Sequence, residues 1–252
     1  MKIGIIGAGA IGATLARKFV GAGHDVKIAN SRGPETLASV ALETGATAVT
    51  AHGAVKDVDV VVLSIPMKGV DHLPKGLFDG ARGDVVIVDT INYYPKRDGS
   101  IEKLDLGELE SRYVSERIGR PVVKAFNNML SQVLVTEGKP AGSVDRIAMP
   151  VAGDDTKAKA IGRALVDIAG FDAIDAGTLD TSWRQQPGTP VYCTDYDEEG
   201  VRAALARADK ASAPRNRDAV WEKFSHIPAT TQPDAATALI REINRSTNEG
   251  AA

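Results

Sequence analysis

The chain has 252 residues, of which 43 % are hydrophobic and 25 % charged, with a net charge of -3. That length buries one full α/β domain and a smaller second piece. The charge balance argues against a nucleic-acid partner, and no apolar run reaches the ~18–20 residues needed to cross a bilayer. The opening Met1-Lys2-Ile3-Gly4 is read as a strand start, not a secretory leader, because glycines interrupt its apolar stretch. One cysteine, Cys193, excludes an internal disulfide and fits a reducing cytoplasm. The four histidines and Cys193 show no metal-ligand spacing, so no metal is expected.

In chain order, residues 2–6 predict a buried strand, followed by a glycine-rich turn and a helix over 10–20. A second strand is expected at 25–29, then a helix opened by Arg32-Gly33-Pro34-Glu35, with Pro34 where its missing N–H costs nothing. A third strand falls at 46–50. The run at 58–64 (VDVVVLS) is nearly all apolar and β-branched, as in a parallel strand covered on both faces, and 85–89 and 122–126 repeat the pattern. Strands alternating with helices predict a Rossmann-type doubly wound parallel sheet. Beyond Asn127 a strand is expected at 146–151, a helix at 155–169 and a strand at 171–175. From Thr178 the chain is polar and proline-dotted, then helical near 197–212, 216–225 and 234–246. The expected division is a dinucleotide-binding domain over 1–177 and a small, mainly helical region over 178–252.

The turn Gly7-Ala8-Gly9-Ala10-Ile11-Gly12 fits G-x-G-x-x-G between a strand and a helix, the context that gives the spacing meaning. Gly7 allows the tight turn, Gly9 lets backbone approach a pyrophosphate, and Gly12 lets helix and strand pack closely. NAD sites carry Asp or Glu about twenty residues further on. This chain has Asn30-Ser31-Arg32 instead, where a guanidinium pairs with a 2′-phosphate that a carboxylate repels. NADP(H) is therefore the expected cofactor. Other strand-end candidates are Ser64-Ile65-Pro66, Lys124 and the stretch Asp89-Thr90-Ile91-Asn92-Tyr93-Tyr94. Asp89 reads either as a cofactor-site residue or as a strand terminator satisfying nearby backbone.

The segments KIGIIGAGAIGATLA, NSRGPETL, VDVVVLSIP, VKAFNNM and VAGDDTKAKA…DAGTL resemble the coenzyme F-420-dependent NADP oxidoreductases over roughly residues 1–180. The resemblance implies that NADPH lies along the strand ends with its nicotinamide against a deazaflavin ring. By the same resemblance, Gly7, Gly9, Ile11 and Gly12 hold the pyrophosphate, and Ser31 and Arg32 hold the 2′-phosphate. Ser64, Ile65 and Pro66 flank the ribose nearer the nicotinamide; Ala125, Phe126 and Asn127 approach the redox end. After Leu179 the pattern departs: Trp183-Arg184-Gln185-Gln186-Pro187-Gly188-Thr189-Pro190 cannot form one regular helix. The acceptor pocket is thus expected to be remodelled.

No Tyr-x-x-x-Lys pair stands out as a proton donor, which favours a conjugated acceptor, a deazaflavin or flavin, over a carbonyl. Two other readings stay open: a carbonyl or imine reductase using Asp89 or Tyr94, and a non-catalytic NADPH-sensing module. The expected partners are a small-molecule electron acceptor and a second copy of the chain. Trp221 and Phe224 are expected to anchor one helix face, and Cys193 to pack rather than react.

Overall fold

The computed structural model describes residues 1–249. In order, the elements are β1 (Lys2–Ile6), α1 (Ala10–Gly21), β2 (Asp25–Ala29), α2 (Ala38–Thr44), β3 (Thr47–Ala48), α3 (Ala51–Val55), β4 (Val60–Leu63) and β5 (Val86–Asp89). Three short helices follow, α4 (Pro95–Asp98), α5 (Glu102–Asp105) and α6 (Glu110–Ile118), then β6 (Val123–Lys124) and α7 (Ser131–Thr136). The chain continues through β7 (Ala148–Val151), α8 (Thr156–Ile168), β8 (Asp172–Asp175), α9 (Glu198–Ala206), α10 (Ala213–Ser225) and α11 (Pro233–Glu249). Single 3-10 stretches occupy Pro34–Leu37, Met67–His72 and Leu179–Gln185.

Six strands form a parallel sheet in the order β3-β2-β1-β4-β5-β6. Chain order reverses between β1 and β4, which places the ligand crevice of an open α/β sheet beyond the carboxyl ends of those strands. The sheet is the Rossmann arrangement predicted from the alternating pattern. Alternate residues of each strand serve opposite faces. Ile3, Ile5, Val60 and Val62 pack with Leu15 and Phe19 of α1 on one face, while Ile6, Val61 and Leu63 pack with Val114 of α6 on the other. Leu15 and Phe19 sit one helical turn apart, so a single face of α1 meets the sheet.

Two predicted strands shrink to two residues each. Residues 46–50 pair only at Thr47–Ala48, and 122–126 only at Val123–Lys124. The second ends early because Phe126 turns into the left-handed region (φ 60°), sending its ring edge-on toward Phe19 at 6.4 Å. The strands expected near 146–151 and 171–175 form a separate parallel pair, β7-β8, not further members of the main sheet. One antiparallel bridge, Lys124 to Ala152, joins the pair to β6. The helix expected over 197–212 stops at Ala206. Among the described residues no helix is long and apolar enough to cross a membrane.

The 179–195 segment crosses the strand ends, with Leu179, Gln185, Val191, Tyr192 and Cys193 all buried. Helix α9 packs on β7 and β8, and α10 pairs with α11.

Candidate functional site

β1 delivers Gly7 into the turn at φ 112°, a conformation side chains rarely adopt. A Cβ there would lie 2.0 Å from the carbonyl oxygen of Ser64, and one on Gly12 would lie 1.9 Å from that of Gly7. Both glycines are therefore fixed by backbone packing. Gly9 differs: a Cβ there meets no atom within 4 Å, so the space above it is open. Gly9 is also the N-cap of α1 and offers no side-chain cap, leaving the first N–H groups of a twelve-residue helix facing that space. Such a terminus suits a diphosphate, attracted by the unpaired N–H groups and by the helix dipole. The backbone is thus a cradle a side chain would fill, and it fits a dinucleotide pyrophosphate.

At the end of β2, Asn30 Oδ1 accepts the backbone N–H of Arg32 at 2.9 Å and of Gly33 at 3.0 Å. Its Nδ2 donates to Thr36 Oγ1 at 2.8 Å. Asn30 thus folds the loop, while Ser31 and Arg32 stand exposed at its tip. Ser31 does not cap the following helical turn, whose N-cap is Gly33. A short polar side chain bonding backbone two and three residues on gives this local turn. After β4, Ser64 and Ile65 are half-buried and Pro66 is exposed, with Ile65 flanking Gly7.

The other half of the crevice departs from expectation. Asp89 was read as a cofactor contact or a strand terminator; its side chain is 0 % exposed and belongs to a buried network. Its Oδ1 accepts the N–H of Ile91 (2.8 Å), its Oδ2 accepts from Ser111 Oγ (2.7 Å), and Lys124 Nζ stands 3.4 Å away. The bond from the Ile91 N–H fits the strand-terminator reading: a carboxylate buried on an interior strand needs partners, and Ile91, Ser111 and Lys124 provide them. Ala125, Phe126 and Asn127, expected to approach the redox end, are at most 2 % exposed. Asn127 Nδ2 donates to Gln185 O (2.7 Å) and Asn92 Oδ1 (3.0 Å), and Gln185 Nε2 returns a bond to Asn127 Oδ1 (2.9 Å). The segment after Leu179 that breaks the family pattern therefore caps these strand ends.

Lys124 is fully buried, and its ammonium donates to the Ile91 carbonyl. Glu110, first residue of α6, places Oε2 3.8 Å from Lys124 Nζ, where that oxygen has no hydrogen-bond donor. Burial pushes the Glu110 carboxyl up to about 7; Lys124 opposes the shift and Asp89 adds to it. Sequence reasoning singled out Lys124 as a cation in an apolar strand but missed Glu110 and Ser111, whose helix is mostly polar.

The tyrosines are committed as well. Tyr93 donates to Asp105 at 2.7 Å, and burial followed by that bond pushes its hydroxyl up to about 12. Tyr94 donates to Tyr192 at 2.7 Å deep in the fold, where burial raises it further. Trp221 lies 4.9 Å from Tyr94, pinning α10 to the strand-end loop. Cys193 is buried, with its thiol pushed up by burial and then by Asp195, as a packing residue requires.

A family model described as NADP oxidoreductase coenzyme F420-dependent matches residues 2–93. The protein YjhV of Escherichia coli (strain K12) is 32 % identical over 143 residues, 57 % of this chain and 92 % of that protein. The crystal structure of a hypothetical protein from Sinorhizobium meliloti superposes with a TM-score of 0.65 at 33 % identity, covering 76 % of this chain and 92 % of that one. A structure from Arthrobacter sp. FB24, assigned as an F420-dependent NADP-reductase, gives a TM-score of 0.60 at 24 % identity over 72 % and 87 % of the two chains. The chain belongs to the F420-dependent NADP oxidoreductase family. It is an NADP-dependent oxidoreductase, and NADP(H) is its cofactor. The matched stretch contains every residue of the open half of the crevice, from Gly7 through Arg32 to Pro66. The capped half, formed by Asn127, Gln185 and Tyr192, lies outside it.

Proposed function

We propose that this oxidoreductase moves hydride between NADP(H) and a conjugated ring acceptor of flavin or deazaflavin type. Bound NADPH supplies the hydride; the chain binds, orients and shields. The N–H groups at the start of α1 hold the pyrophosphate, helped by the open space at Gly9. Arg32, with Ser31, receives the 2′-phosphate on the loop shaped by Asn30. Ser64, Ile65 and Pro66 wall the ribose nearer the nicotinamide.

The observation that carries the acceptor reading is the commitment of the candidate proton donors Tyr93, Tyr94 and Asp89 at the strand ends. Tyr93, Tyr94 and Asp89 are each bonded to internal partners and held away from solvent. Reducing a carbonyl requires a positioned donor at the developing oxyanion. A conjugated ring spreads the added charge, so positioning alone suffices. The test is an acceptor panel of deazaflavin, FMN, quinones, ferric chelates and small carbonyls and imines, followed at the reduced-nicotinamide absorbance. Turnover with ring acceptors is expected, and turnover confined to carbonyls or imines would sink the reading.

Arg32→Ala is expected to weaken NADPH binding by about 1.5–3 kcal/mol, the value of a charge-assisted hydrogen bond, with little change for NADH. Fluorescence titration with both cofactors checks it; equal losses would mean the guanidinium does not meet the 2′-phosphate.

The division into a cofactor domain over 1–177 and an acceptor-side region over 178–252 belongs to the same proposal, as do a cytoplasmic setting and a homodimer built on the C-terminal helices. Leu239 of α11 and Val135 of the adjoining α7 expose 47 % and 45 % of their surface, which a second copy would cover. Light scattering should give twice the chain mass.

A further inference from the structure

Beneath the ends of β5 and β6 lie one buried cation and two buried carboxylates, drawn from three elements. Asp89 closes β5, Lys124 closes β6, and Glu110 opens α6. Lys124 Nζ is 3.4 Å from Asp89 Oδ2 and 3.8 Å from Glu110 Oε2. Asp89 is fully supplied with donors, from Ser111 and from the N–H of Ile91. Glu110 is not: its Oε2 is buried without a donor. In a sheet of this strand order the two halves of a dinucleotide divide at the switch point between β1 and β4, adenosine toward β2 and nicotinamide toward β5. The cluster therefore underlies the nicotinamide half and touches neither cofactor nor acceptor directly.

We propose that Glu110, through this buried cluster, is the positioning charge that sets the preference of the site between the oxidised and reduced forms of the nicotinamide. The inference rests on the proposed placement of the nicotinamide over β4–β6. With Glu110 protonated, Asp89 and Lys124 cancel and the floor is neutral. With Glu110 ionised, the floor carries one net negative charge in a medium that screens it poorly. The oxidised nicotinamide is a cation and the reduced ring is neutral, so ionisation favours NADP+ and leaves NADPH nearly unaffected. By linkage, NADP+ binding must then expel part of the Glu110 proton.

The groups facing Glu110 support a transition near neutrality. Burial holds the proton on, Asp89 from β5 reinforces this, and Lys124 from β6 with Arg217 from α10 opposes it, as does the backbone N–H of Tyr93. Glu110 also sits in the first turn of α6, where the helix dipole favours the anion.

The experiment measures Kd for NADP+ and NADPH at pH 6 and pH 8.5 by fluorescence and calorimetry. Both forms carry the 2′-phosphate, so its own titration cancels in their ratio. In the wild type the ratio is expected to shift toward NADP+ by about fivefold as pH rises, the size of one unit charge seen across a protein interior. Calorimetry in buffers of different ionisation enthalpy should show more proton release with NADP+ than with NADPH. Glu110→Gln should flatten the ratio and abolish that excess. A flat wild-type ratio overturns the proposal without any variant, and so does a pH-dependent ratio that persists in a folded Glu110→Gln protein. Ile65→Trp separates the two layers of inference: it should weaken both redox forms if the nicotinamide half lies beside Ile65. Unchanged binding there overturns the placement itself, whereas impaired binding with a flat wild-type ratio overturns only the role of Glu110.

Discussion

Lys124→Met is expected to destabilise the folded protein by about 3–5 kcal/mol. The side chains are similar in volume, so little of the loss is packing. What disappears is the cation between Asp89 and Glu110, together with the donor to the Ile91 carbonyl. Glu110 can take up a proton, but Asp89 accepts from Ser111 and from the Ile91 N–H in a geometry suited to the anion. It is left at zero exposure with no counterion. In a domain of this size the loss amounts to a fall in Tm on the order of 10 °C. Urea or thermal unfolding measures it, and a loss under about 1 kcal/mol would show that the cluster is not ionised in the folded state. Adding Asp89→Asn and Glu110→Gln to Lys124→Met should recover much of the stability, because removing a whole buried ion cluster costs far less than removing one member.

The same cluster shows where sequence reasoning stops. The sheet was legible because its signals are local: β-branched runs at 60–63 and 86–89, alternating with helical stretches, leave few other folds. The glycine turn was legible for the same reason, since Gly7, Gly9 and Gly12 lie within six residues of chain and their spacing follows from one turn. Lys124 was visible as an anomaly in an apolar strand, yet its partners stand at positions 89 and 110, and no spacing rule links three elements through space. Asp89 was ambiguous because a strand-terminating carboxylate looks the same whether it faces a ligand or a lysine. Phe126 at φ 60° could not be foreseen, because aromatic residues seldom adopt that conformation and it persists only where surrounding packing dictates it. The capping of Ala125, Phe126 and Asn127 depended on a 179–195 segment whose irregularity was plain but whose path was not.

Gly9→Val should reduce NADPH affinity by about 100-fold or more while leaving folding nearly intact, separating two roles that the glycine motif combines. A Cβ at Gly9 meets no atom within 4 Å, so the native packing has room for a side chain there. That same volume is where a pyrophosphate must come within hydrogen-bond reach of the α1 N–H groups, and a branched side chain would hold it off. Losing two or three charge-assisted hydrogen bonds of about 1.5 kcal/mol each accounts for the size of the effect. Gly12→Val is the contrasting case. Its Cβ would lie 1.9 Å from the Gly7 carbonyl oxygen, so α1 must move off β1 and the core formed by Leu15 and Phe19 with Ile5 must open. That variant should lose stability first and binding as a consequence. Unfolding curves paired with cofactor titrations distinguish them. If Gly9→Val bound NADPH normally, the diphosphate would not rest on the helix terminus; if it failed to fold, the space above Gly9 would not be the open volume that the backbone defines.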